Sequence, residues 1–134
     1  MPPHENKKKI LVVDDEEDIR RFLSKLFQEN GYNVECAGDG EEAMHAAVSA
    51  RPDLITLDMS MPYKSGVRFY REIKTHPELD HVPIIIVTGV TGFGGSANDT
   101  EQFLKSRGSI PPPEGFVAKP IEQEEILRKV ASLL

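Results

Sequence analysis

The sequence predicts an α/β fold, a doubly wound five-stranded parallel sheet with helices on both faces. Three observations predict it. Short apolar runs, too short for helices, recur along the chain. Segments with helical spacing lie between them. The connections are short enough that successive parallel strands need right-handed helical crossovers.

The elements follow in order. Residues 1–8 read as an N-terminal tail, and 9–134 as one domain. Ile10-Leu11-Val12-Val13 suits a strand buried on both faces. Ile19, Phe22, Leu23, Leu26 and Phe27 fall on one face of a helix, which Asn30-Gly31 ends with Gly31 as a left-handed cap. Tyr32 to Ala37 reads as a second strand. Asp39-Gly40 precedes a helix from Glu41 to Ala50, with acids in its first turn where the dipole favours them. Pro52 interrupts, and Leu54-Ile55-Thr56-Leu57 leads into Asp58 as a third strand. Met59 to Ser65 is a loop containing Pro62. A helix from about Gly66 to Thr75 carries Val67, Tyr70 and Ile73 inward until His76-Pro77 stops it. Pro83 to Thr88 is the clearest strand.

After Thr88 come six of the ten glycines and Pro111-Pro112-Pro113, with a modest helix from about Asn98 to Arg107. Gly115 to Ala118 is a short fifth strand, followed by Lys119-Pro120. The last helix, Ile121 to Leu134, carries Ile126, Leu127, Val130, Leu133 and Leu134 as its apolar positions.

Composition bounds the function. The chain has 134 residues, 39% hydrophobic and 28% charged, which suits a folded single domain. A net charge of −6 repels a phosphate backbone, so direct nucleic-acid binding is not expected. One cysteine, Cys36, makes neither an internal disulfide nor a zinc cluster, and this fits a reducing, cytoplasmic setting. No run approaches 18 apolar residues, and Lys7, Lys8 and Lys9 are followed by only four, so neither a membrane span nor a signal peptide is expected.

In an open parallel sheet, ligands bind outside the carboxyl ends of the strands. Four polar features stand there: Asp14, Asp15 and Glu16 after the first strand, Asp58 after the third, Thr88 on the fourth and Lys119 after the fifth. Clustered carboxylates repel unless a cation or proton intervenes. Hard oxygen ligands with open positions suit Mg2+, which takes a phosphate readily as co-ligand. Lys119 and the Thr88 hydroxyl can reach a phosphoryl oxygen. Asp58 stands alone opposite the acidic pair and is the best nucleophile toward phosphorus.

At these residues the chain resembles the receiver domains of bacterial response regulators, with the CheY-like, flavodoxin-like fold. The resemblance rests on ILVVDDEED, LITLDMSMP, IIIVTG and GFVAKPI, and covers about Lys8 to Leu134. It implies the strand order 2-1-3-4-5 with five helices. It implies that Asp58 accepts a phosphoryl group from a phosphohistidine on a histidine kinase or histidine phosphotransfer protein. Asp15 and Asp58 would bind Mg2+ through side chains, Ser60 through its backbone carbonyl, and Asp14 largely through water. Thr88 and Lys119 would hold the phosphoryl oxygens. Phe116 matches the aromatic that swings inward as Thr88 moves. The Lys119-Pro120 bond is expected cis. Gly66 suits the tight turn before the third helix. Val90 and Ser60 match positions that modulate dephosphorylation.

One departure is the spacing from Thr88 to Lys119, longer than the family's by about ten residues and containing the glycine- and proline-rich segment 89–114, an unusual connection for a compact domain. The usual partner surface and dimer mode therefore do not transfer with the site, and monomer or weak dimer stays open.

Competing patterns are weaker. Gly92 to Ala97 matches a loose dinucleotide-binding pattern, but it follows the fourth strand rather than opening a βαβ unit. Gly89 to Ser96 mimics a P-loop with Gly95 where its lysine should stand. The four histidines share no metal-ligand spacing. Glu16 and Glu17 read as first-turn acids, and Lys7 to Lys9 as solubilising. The expected function is a Mg2+-dependent signalling phosphoacceptor that acts only on its own phosphorylation and dephosphorylation. The alternatives are a phosphorylation-independent interaction module and a Mg2+-dependent aspartyl phosphatase. The intact acidic set speaks against the first, and a lone aspartate on the third strand against the second.

Overall fold

The computed structural model describes residues 7–59, 61, 65–89 and 110–134. Five strands form one parallel sheet: β1 (Lys9–Val13), β2 (Asn33–Ala37), β3 (Leu54–Asp58), β4 (Ile84–Thr88) and β5 (Gly115–Ala118). Their order is β2-β1-β3-β4-β5, and every neighbouring pair is parallel. Four helices lie among the described residues: α1 (Glu17–Glu29), α2 (Gly40–Ala50), α3 (Ser65–Thr75) and α4 (Gln123–Leu133). The helix expected near residues 98–107 lies outside them.

Strand side chains alternate between two cores, as a sheet covered on both faces requires. Leu11, Val13, Ile55, Leu57, Ile84 and Ile86 pack with Ala43 and Ala47 of α2 and Phe69, Tyr70 and Ile73 of α3. Ile10, Val12, Leu54, Ile85 and Val87 pack with Leu23, Leu26 and Phe27 of α1 and Ile126 and Val130 of α4. This double burial explains why β1, β3 and β4 show no polar alternation in the sequence.

The punctuation is local chemistry. Gly31, at φ 92°, follows α1 in a left-handed conformation that costs glycine little. Asp39 caps α2, its side chain accepting from the Glu42 amide at 2.8 Å. α2 ends on Arg51, a non-glycine residue at φ 52°, whose amide donates to the Ala47 carbonyl.

Two sequence readings need correction. Lys9 is not merely solubilising: it opens β1, and its ammonium donates to the Ala50 carbonyl at 3.0 Å. Gly66 serves close approach rather than a turn. It lies inside α3, where an added Cβ would sit 2.9 Å from the Asp58 carbonyl oxygen and 3.2 Å from the Met59 Cα.

Candidate functional site

The strand registers level the carboxyl edge of the sheet. Val13 pairs with both Ala37 and Leu57, Asp58 with Val87, and Thr88 with Ala118. Residues that end these strands therefore meet on one edge. Asp58 is the last residue of β3 and is 1% exposed. Asp14, just past β1, is 2% exposed, whereas Asp15 and Glu16 face solvent.

Lys119, one residue past β5, reaches into this group. Its Nζ lies 3.2 Å from Asp14 Oδ2, 3.5 Å from Glu16 Oε1 and 3.7 Å from Asp58 Oδ2. The bond between Lys119 and Pro120 is cis, as expected. Asp14 is held by its own loop as well. Its amide donates to the Ala37 carbonyl at 3.1 Å, and its Oδ1 accepts from the Glu16 amide at 2.9 Å.

The electrostatics follow from crowding acids in a partly buried place. Burial pushes the Asp14 carboxyl up to about 6, and the Asp58 charge adds to this against the pull of the Glu16 amide and Lys119. Asp15 is also raised, first by burial, then by the charge of Asp58 and a side-chain hydrogen bond with it. Burial works to lower the Lys119 pKa, but the charges of Asp58 and Asp14 outweigh it and hold the ammonium above its ordinary value.

The donor set fits a hard divalent cation. Carboxylate oxygens of Asp14, Asp15 and Glu16 all lie within 4.8 Å of one another, and the charge of the buried Asp58 acts on both aspartates. Burial first, and then the neighbouring Asp58 charge, disfavour ionised Asp14 and Asp15, and a bound cation would offset both effects.

Most of the expected site residues meet here, and Glu16 joins them. The sequence reading placed Glu16 in the first helical turn. It instead stands ahead of α1 without a capping bond, which frees its carboxylate toward Lys119. No one-dimensional signal separates it from Glu17, which pairs with Arg21 on the surface. Thr88 ends β4 as expected, while its side chain, Ser60 and Val90 lie outside the described residues. Phe116 sits on β5, partly buried against the α2–α3 core, and its carbonyl accepts from Lys129. Arg20 is an addition that the sequence did not mark: its Nη1 donates to the Asp14 carbonyl at 2.8 Å.

Comparison with known proteins decides what this edge belongs to. Residues 10–131 match the response regulator receiver domain family. The chain belongs to that family. It is 35% identical over 127 residues to the alkaline phosphatase synthesis transcriptional regulatory protein PhoP of Bacillus subtilis, covering 95% of this chain and 48% of that protein. It is 37% identical over 85 residues to protein Rrf1 of Nitratidesulfovibrio vulgaris, covering 63% and 62%. The receiver thus spans about half to three-fifths of the length of these relatives. Among solved structures, chemotaxis protein CheY4 of Vibrio cholerae superposes with a TM-score of 0.81 at 30% identity, covering 96% of this receiver and 99% of that chain. No helix among the described residues is long and apolar enough to cross a membrane.

Proposed function

We propose that this receiver accepts a phosphoryl group on Asp58, from a phosphohistidine of a histidine kinase or histidine phosphotransfer protein, and that the phosphorylated form binds a downstream partner differently. The observation that carries the reading is the approach of Lys119 both to the buried Asp58 carboxylate at 3.7 Å and to Asp14 at 3.2 Å.

Each residue has a stated part. Asp58 attacks phosphorus through a carboxylate oxygen as the bond to the donor imidazole nitrogen breaks. Lys119 supplies a positive charge to the phosphoryl oxygens, and the Thr88 hydroxyl donates to one of them. Asp15, Asp58, Asp14 and the Ser60 carbonyl would hold Mg2+, with Glu16 beside them. The ion would supply positive charge to offset these acids and the charge on the phosphoryl oxygens. Phosphorylation shifts the balance between two arrangements of the Thr88 and Phe116 region, which a partner reads. The protein catalyses only its own phosphorylation and hydrolysis, and works in the cytoplasm.

The test is incubation with a small acyl phosphate and Mg2+, followed by intact mass. The wild type gains about 80 Da, one phosphoryl group. Asp58→Asn and a chelator each abolish the gain. An adduct that survives Asp58→Asn refutes the site, and no adduct on the wild type refutes the reading.

A further inference from the structure

We propose that Arg20 is a positioning residue for the acidic loop, fixing the Asp14–Glu16 backbone in the form that binds Mg2+. The inference rests on the metal-binding reading above and adds a residue that it does not contain. Arg20 lies in the first turn of α1, where its amide donates to the Glu16 carbonyl at 3.1 Å. Its side chain then turns back six residues, and Nη1 donates to the Asp14 carbonyl at 2.8 Å. One residue thereby closes the loop Asp14–Glu16 at both ends.

Asp14 is anchored at four polar atoms. Its amide goes to Ala37, Oδ1 to the Glu16 amide, Oδ2 to Lys119, and its carbonyl to Arg20. Among the described residues Arg20 is the sole partner of that carbonyl, on a residue only 2% exposed. Losing such a bond strands a buried acceptor, and the loop must move to rehydrate it. The carboxylates of Asp14, Asp15 and Glu16 would move with it.

Gly38 completes the arrangement. It follows β2, beside the guanidinium, and an added Cβ there would lie 3.3 Å from Arg20 Nη1 and 3.7 Å from Cζ. Its φ is outside the left-handed range, so a side chain there would crowd the guanidinium rather than strain the backbone. Arg20 also forms no ion pair among the described residues, although the chain carries 22 acids against 16 lysines and arginines. Its strongest geometric commitment is therefore the Asp14 carbonyl rather than a surface carboxylate.

The experiment measures Mg2+ binding by calorimetry and amide exchange by NMR, on the full chain. Residues that orient metal ligands cost roughly 10- to 100-fold in affinity when removed. Arg20→Ala should weaken Mg2+ binding about tenfold and speed exchange of the Glu16 amide in metal-free protein, while core amides of β3 keep their protection. Free guanidinium ion at low millimolar concentration should restore part of the affinity. Gly38→Val should weaken binding in the wild type but add nothing in the Arg20→Ala background. Wild-type affinity and unchanged Glu16 exchange in Arg20→Ala would overturn the proposal, as would a uniform loss of protection across the sheet. If the wild type itself binds no Mg2+, the metal reading fails, and the Glu16 amide still decides whether Arg20 holds the loop.

Discussion

Lys74 and Glu114 form a two-oxygen ion pair at the end of the sheet opposite the acidic edge. The Lys74 ammonium, 2% exposed, lies 2.8 and 2.9 Å from the two Glu114 oxygens. Glu114 Oε1 also accepts from the Ile84 amide at 2.7 Å, and the Glu114 amide donates to the Ile84 carbonyl at 3.0 Å. One turn earlier on α3, the Tyr70 hydroxyl donates to the Pro111 carbonyl at 2.5 Å. The C-terminal half of α3 thus grips the backbone that leads into β5.

Removing one partner leaves the other charge stranded, which is more harmful than losing both. Glu114→Ala should therefore destabilise the receiver by about 2–4 kcal/mol, less than a fully buried pair because Glu114 is about one-third exposed. Lys74→Met combined with Glu114→Gln should cost clearly less than the single change. Urea unfolding of the two variants checks this, and a double variant as unstable as Glu114→Ala would contradict it.

The pKa of Asp14 sets a pH dependence of metal binding and of stability. Mg2+ competes with protons for raised carboxyls, so affinity should fall as pH drops through about 6, where Asp14 takes up its proton, and Asp15 acts in the same direction. In metal-free protein the folded state holds the Asp14 proton more tightly than the unfolded chain, whose pKa is 3.8. That stabilising contribution is complete below the unfolded value and is lost as pH rises through about 6. The loss amounts to something on the order of 2–3 kcal/mol between pH 4 and 7. Saturating Mg2+ should offset it. Thermal unfolding with and without Mg2+ tests the claim, and Asp14→Asn should remove this part of the slope.

The acidic edge was legible because each of its residues sits where an apolar run stops. Asp58 after Leu54–Leu57 and Lys119 after Gly115–Ala118 need only the strand assignments to be placed together. The hidden contacts are those between residues with no periodic signature. Glu16 and Glu17 are neighbours of one type, and only the start of α1 sends one inward and pairs the other with Arg21. Arg20 falls on a helical face that reads as solvent-facing, and its return to Asp14 depends on room at Gly38. Lys74 and Glu114 lie 40 positions apart, and the burial that makes their pairing consequential is a property of packing alone.

Gly66 marks where α3 abuts the end of β3. A methyl group there would press on the Asp58 carbonyl at 2.9 Å, nearer than real contacts allow, with the Met59 Cα next at 3.2 Å. Both obstacles are backbone, so neither rotates away. Alanine would otherwise favour the helix by roughly 1 kcal/mol. Overpacking should win, and Gly66→Ala should destabilise the protein by about 1–3 kcal/mol and slow phosphorylation by displacing Asp58. Equal stability and unchanged phosphorylation would show that the α3 end yields freely.

Thr56 gives a prediction of the opposite sign. It lies in the middle of β3, 1% exposed, between Val12 of β1 and Ile85 of β4. Its hydroxyl oxygen is buried without a hydrogen-bond partner among the described residues. An unsatisfied buried hydroxyl costs free energy that an apolar group of the same shape does not. Valine matches threonine in branching and volume and is favoured in strands. Thr56→Val should therefore raise stability by about 1 kcal/mol while leaving Asp58, two residues along at the end of β3, able to accept a phosphoryl group. A lower denaturation midpoint would mean that the hydroxyl has a partner in solution, such as a buried water.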